Sequence, residues 1–229
     1  MLKRTETPQG YTLIRSKRKT LRLEIGADTK VTLRTPLYCS NKIIQQFVKE
    51  KRDWIINKQK YARENYKQAD VKKLLPGEKF LYLGKAYPLV IAESGDLALI
   101  FNGENFNINV NQLKNARELL LRWYKEEAFK IISERAKWYS SKSGIEYKKI
   151  GISNARYRWG SCSSKGSLNF TWRIVMAPLK VIDYMVIHEL VHIKIKGHSK
   201  VFWQKVKDFI PELDYCRNWL KENQNLLIL

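Results

Sequence analysis

Cysteine and histidine are both scarce in this 229-residue chain. The three cysteines, Cys39, Cys162 and Cys216, are odd in number and widely spaced, which excludes a disulfide framework and makes a reducing compartment, the cytoplasm, the expected location. No C-x-x-C pair occurs, so the usual closed structural zinc arrangements are excluded. No stretch approaches the roughly 18 consecutive apolar residues that span a bilayer. The opening Met1-Leu2-Lys3-Arg4-Thr5-Glu6-Thr7-Pro8 has no apolar core of the signal-peptide kind. No membrane association is expected. Internal repeats and low-complexity segments are also missing. What remains is ordinary globular composition, 44% hydrophobic and 28% charged, in a chain long enough for one large domain or two small ones.

Acidic residues are short as well, 22 against 43 Lys and Arg, for a net charge of +21. Residues 1–75 carry +12 of that excess, with Arg15, Lys17, Arg18, Lys19 and Arg22 crowded together. Such a surface attracts polyanions, so nucleic acid is one candidate partner. A lysine-rich solvated face is the plainer reading. No zinc-finger, helix-turn-helix or RNA-binding motif accompanies the charge.

Residues 11–37 read as strands: Leu21 to Ile25 and Val31 to Thr35 alternate apolar with polar, and Gly26-Ala27-Asp28 between them is turn chemistry. The spacing of Ile44, Phe47, Val48, Trp54, Ile55 and Tyr61 predicts one long helix over 41–68. Short strands come next between about 79 and 110, punctuated by Gly84, Ser94-Gly95-Asp96 and Asn102-Gly103. A composition shift near Asn111 divides a β-rich, strongly basic N-terminal domain with one long helix (1–111) from a second domain (112–229). The second opens on an amphipathic helix over 115–142 carrying Leu119, Leu120, Trp123, Ala128, Ile131, Ile132 and Trp138, which Gly144 ends. Segments 149–154 and 168–174 are strand-like. Ala177-Pro178 opens another helix, Ser199 can cap a third, and Pro211 starts a last one.

All three histidines fall in the helix after Pro178 and just beyond it, in His188-Glu189-Leu190-Val191-His192-Ile193-Lys194-Ile195-Lys196-Gly197-His198. His188 and His192 are four residues apart and share one helix face, so both rings can ligate one metal ion. Glu189 lies about 100° further round, beside the metal, where a general base for a metal-activated water belongs. Val186, Ile187, Leu190, Val191, Ile193 and Ile195 make the helix apolar nearly all round, so it should be buried. Imidazoles and a carboxylate placed there need a partner, because an unpaired buried polar group costs roughly 2–7 kcal/mol. A divalent cation supplies one, and the pattern is that of a zinc hydrolase. The third ligand is His198, swung back by a left-handed Gly197, or Glu212 reaching in from the next helix. The ligand spacing also matches the metzincins. However, Ile195 stands where they carry Gly, and the only methionines, Met1, Met176 and Met185, all precede the ligands.

A second cluster, Arg156-Tyr157-Arg158-Trp159-Gly160-Ser161-Cys162, lies in the loop between the two late strands. Cys162 as a nucleophile needs a free histidine base, which three metal-bound imidazoles do not leave. Arg156 or Arg158 can polarise a substrate carbonyl, or simply pair with carboxylates.

With these pieces the chain resembles the YgjP-like zinc metallopeptidases, which are similar to the SprT-like and WLM proteases. The matching residues are Tyr82-Leu83-Gly84-Lys85 with Tyr87, Arg158 to Cys162, Leu168-Asn169, Asp183-Tyr184, His188-Glu189-Leu190 with His192, and His198-Ser199 with Phe202-Trp203. They run in family order across nearly the full length. The resemblance implies an α+β, zincin-like catalytic domain built from a long helix, a small sheet and the H-E-x-x-H helix. It implies one Zn2+ on His188, His192 and His198 with Glu189 as base, a peptide or protein substrate, and an edge strand over 168–174 for substrate pairing. The alternative is a nucleic-acid-associated protein, or a protease of DNA- or RNA-bound proteins, acting through the basic N-terminal half.

Overall fold

A computed structural model describes the chain apart from residues 1–2, 8–9, 26–28, 66–71, 94–97, 156–157 and 224–229. The turns expected at Gly26-Ala27-Asp28 and Ser94-Gly95-Asp96 lie outside the described residues, as does Arg156. Two compact units divide the chain, Met1–Asp70 and Val71–Leu229, rather than two domains meeting near Asn111.

In the first unit, strands β1 (Lys3–Glu6), β2 (Tyr11–Ser16), β3 (Arg22–Ile25) and β4 (Val31–Pro36) form a sheet in the order β1-β2-β4-β3. The central β2–β4 pair is parallel and the two outer pairs are antiparallel. Val31, Leu33 and Thr35 alternate inward on β4, as the sequence pattern requires. Val31 and Leu33, with Tyr11, Leu13 and Ile44, form a small core. The single helix expected over 41–68 is two: α1 (Asn41–Glu50), capped by the Ser40 hydroxyl, and α2 (Arg52–Asn65). The break at Lys51 has no Gly or Pro to announce it.

The second unit begins with β5 (Lys79–Tyr82), β6 (Lys85–Ala92), β7 (Leu99–Phe101) and β8 (Phe106–Asn109), in the order β5-β6-β8-β7. Leu83 and Gly84 both have positive φ in the two-residue β5–β6 turn, the geometry that hairpin twist favours. The turn docks by its backbone, Leu83 N–H to Val175 O and Gly84 N–H to Met176 O. A Cβ on Gly84 would lie 2.8 Å from Pro178 Cγ, so only Gly allows this approach. The β5–β8 sheet shares one core with the C-terminal helices, through Phe80, Leu89, Phe106, Ile108, Leu120 and Tyr124. That shared core is why it does not separate at residue 111.

The long helix α3 (Ala116–Ser143) buries Ala116, Leu120, Tyr124, Ala128, Ile132 and Ala136, a stripe of every fourth residue. Gly144 ends it in the left-handed conformation, as expected. Trp138 is not core: it is 42% exposed, with Lys142 Nζ 4.0 Å from its ring centroid. Next come β9 (Lys149–Ser153), β10 (Gly160–Cys162) and β11 (Ser167–Thr171), in the order β10-β11-β9. Two expectations are corrected here. The segment 168–174 is not an edge strand, because β11 is paired on both sides and Trp172–Met176 is a 3-10 turn. The Gly160 segment is a strand rather than a loop, and β10 and β9 are the strands that end the sheet.

Helices α4 (Leu179–Lys194), α5 (Lys200–Lys207) and α6 (Leu213–Asn223) complete the unit. Val181, Ile182, Val186, Ile187, Leu190 and Val191 of α4 are fully buried, because α3, α5, α6 and β10 pack around it. Arg135 of α3 donates two hydrogen bonds to Asp183 of α4, at 2.5 and 2.8 Å, with side chains only 20% and 12% exposed. Asp183→Ala strands that guanidinium, and urea unfolding should show a loss of about 3 kcal/mol. The architecture is thus mixed α+β, with six helices and small mixed sheets among the described residues. Among them no helix is long and apolar enough to cross a membrane.

Candidate active site

Helix α4 carries His188 and His192 one turn apart on the same face, with ring centroids 4.8 Å apart. The helix ends at Lys194, and Ile195 returns to extended backbone. Gly197, at φ +80, sits two residues past Ile195 rather than directly at the helix end, and there it turns the chain so that His198 swings back. His198 Nε2 lies 3.1 Å from His188 Nε2 and 3.2 Å from His192 Nε2. Ser199 then caps α5, its hydroxyl accepting from Phe202 N–H, as its position predicts. The rival third ligand, Glu212, is elsewhere, paired with Lys180 Nζ at 2.8 Å on the surface.

His188 and His192 are prepared to act as neutral donors. His192 Nδ1 lies 3.2 Å from Ile195 O, a contact that places the ring proton on Nδ1 and leaves the Nε2 lone pair free. Burial, reinforced by the neighbouring imidazoles, pushes the His188 pKa down to about 3. Burial also lowers that of His192. His198 Nε2 is 3.1–3.2 Å from each of the other two, all three ligand atoms lie within 4.8 Å of one another, and where each presents a lone pair they repel unless something positive lies among them. The donor set therefore fits a small metal ion. Aromatic rings from α5 brace two of the imidazoles: Phe202 stacks on His192 at 4.4 Å and 27°, and Trp203 on His198 at 5.3 Å and 24°.

Glu189 is 3% exposed and its Oε2 has no hydrogen-bond partner. Burial raises its carboxyl to about 7, opposed in part by the positive charge of Arg158. The carboxylate rests against β10. A Cβ on Gly160 would meet Glu189 Oε1 at 2.5 Å and Cγ at 2.7 Å. In the sequence Gly160 is only one member of an unusual cluster, because its meaning depends on which helix lies against it. Of the two arginines in that cluster, Arg158 is exposed and acts on Glu189 through its charge.

Strand β10, the adjoining Ser163-Ser164 and the Lys196-Gly197-His198 turn enclose an open cleft of about 550 Å³ with the histidines and Glu189 in its floor. Cys162 lines this cleft, but burial and Glu189 push its thiol pKa up, the wrong direction for a nucleophile.

A family model described as YgjP-like, metallopeptidase domain, matches residues 19–223. Among solved structures, a crystal structure of the metallopeptidase zymogen of Pyrococcus abyssi abylysin is similar at 20% identity. It covers 39% of this chain and 93% of its own, with a TM-score of 0.34, too slight a likeness to bear on the site. No curated protein matches the chain. The family description names a peptidase and lends nothing to the nucleic-acid alternative.

Proposed function

The chain belongs to the YgjP-like metallopeptidase family, and on that premise we propose that it hydrolyses peptide bonds with one zinc ion held by His188, His192 and His198. Glu189 is then the general base of a zincin-type site. The observation that carries the reading is the convergence of three Nε2 atoms beside a buried, unpartnered carboxylate. Zinc–nitrogen bonds of about 2.0–2.1 Å in a tetrahedral arrangement set ligand nitrogens about 3.3–3.4 Å apart, close to the 3.1 and 3.2 Å that separate His198 Nε2 from those of His188 and His192. When bound, zinc supplies Lewis acidity and brings the pKa of water down to about 7.

The chain's own residues do the rest. Glu189 takes the proton released by the attacking water and returns it to the leaving amine. Burial raises this carboxyl to about 7 in the metal-free protein, and the charge of a bound cation would draw it back down toward the ionised form that accepts the proton. Strand β10 borders the cleft as an edge strand of its sheet, so an extended peptide can pair along it by main-chain hydrogen bonds. The test is digestion of casein and a mixed peptide library by zinc-loaded protein. Cleavage that stops with chelator and returns with added zinc is expected. Intact substrates throughout would refute the proposal.

The close contact at Gly160 gives a second expectation. Gly160→Ala should displace the Glu189 carboxylate while sparing all three histidines. A misplacement of about 1 Å costs about 100-fold in rate, so kcat should fall by that order while zinc affinity holds. Steady-state kinetics and chelator competition on the same preparation check both halves.

A further inference from the structure

Two of the three imidazoles are fixed by a buried helix, but the third is not. His198 lies beyond the end of α4, after Gly197, and is exposed to solvent. A side chain so placed samples many orientations unless something holds it. Its neighbours in sequence belong to α5: the Ser199 hydroxyl accepts from Phe202 N–H, and Ser199 O accepts from Trp203 N–H at 3.1 Å. That first turn sends two aromatic rings toward the histidines. Phe202, fully buried, lies against His192. Trp203 lies nearly parallel to His198, 24° between planes and 5.3 Å between centroids. Trp203 is held in turn, since the Arg217 guanidinium of α6 sits 4.7 Å from its ring centroid.

We propose that Trp203, steadied by Arg217, is a positioning residue that presents His198 to the metal. This rests on the metal-site reading above and adds to it a reason why a loop histidine serves as ligand. Stacking restricts the imidazole to rotations within the plane of the indole, so its Nε2 points at the other two before any cation arrives. Offset-stacked rings attract one another, and a guanidinium over indole is a favourable cation–π contact. Neither residue reaches the reacting atoms, so the effect belongs to metal affinity rather than to the chemical step. Groups that orient metal-bound histidines change affinity by about 10–100-fold when removed. A stack on an exposed imidazole belongs at the lower end, about 10-fold.

The experiment measures the Zn2+ dissociation constant of the full chain by chelator competition, alongside thermal unfolding of the zinc-free protein. Trp203→Leu keeps apolar bulk but removes the ring face, and should weaken zinc about 10-fold. Trp203→Phe should recover most of the loss. Arg217→Ala should weaken zinc less, leave zinc-free unfolding nearly unchanged, and add nothing on top of Trp203→Leu, because it acts through the indole. Wild-type affinity in a folded Trp203→Leu variant overturns the proposal. If that variant does not fold, wild-type affinity in Arg217→Ala overturns it. Failure of the underlying reading looks different: there the wild-type chain itself takes up no zinc, or His198→Ala binds it as tightly as wild type.

Discussion

Glu189→Gln should leave the protein folded and zinc-loaded, and lower peptide hydrolysis by about 1,000-fold, roughly 4 kcal/mol of barrier. The amide has the shape of the carboxylate and fits the same space against Gly160, but it cannot take a proton from water. The substitution should also change how stability responds to pH in the metal-free protein. Burial raises the Glu189 pKa from 4.5 to about 7, so between those values the folded state binds more protons than the unfolded one. Stability owed to this group is therefore complete below about pH 4.5 and is lost as pH rises through about 7, in total by about 3 kcal/mol. His188 works in the opposite sense, since its pKa is pushed down to about 3. Subtracting the variant's profile from that of wild type isolates the glutamate. Full activity in Glu189→Gln would remove the assignment of the base.

His188→Ala should have the second large effect, on metal rather than on proton transfer. Its Nε2 is one of the three converging atoms, and its ring is packed against Phe202 at 5.0 Å, so no other side chain can take its place. Affinity should fall by well over about 100-fold, the upper end of what supporting groups alone cost. Thermal unfolding reads the same quantity. A ligand present at 1,000 times its dissociation constant stabilises the fold by about 4 kcal/mol. Wild-type protein should lose that increment on chelation, and the variant should have none to lose. Equal zinc-dependent stabilisation in both would exclude His188 as a ligand.

The parts of this protein legible from sequence are those set by local pattern. Alternation on β4, the buried face of α3, the all-round apolar α4 and the Ser199 cap are dictated by residue spacing alone. So is the meeting of His188 and His192, which one helical turn brings about. Less local features were hidden. Strand β10 is three residues long and exists because β11 pairs with it and α4 packs across it. Nothing in Gly160-Ser161-Cys162 announces a strand. The edge expected over 168–174 failed for the same reason, since strand order is a property of the sheet and not of the segment. The break at Lys51 lies in Glu50-Lys51-Arg52, three good helix formers. Composition alone places a division near Asn111, but the β5–β8 sheet lends its apolar face to α3 and belongs with the C-terminal helices.

Metal content is the sharpest test of the three-histidine site. Protein purified without added chelator, and a variant with His188, His192 and His198 all changed to Ala, should be exchanged into zinc-containing buffer, desalted and analysed for bound metal. One zinc per chain is expected in the first and none in the second. Equal zinc in both, or none in either, would contradict such a site.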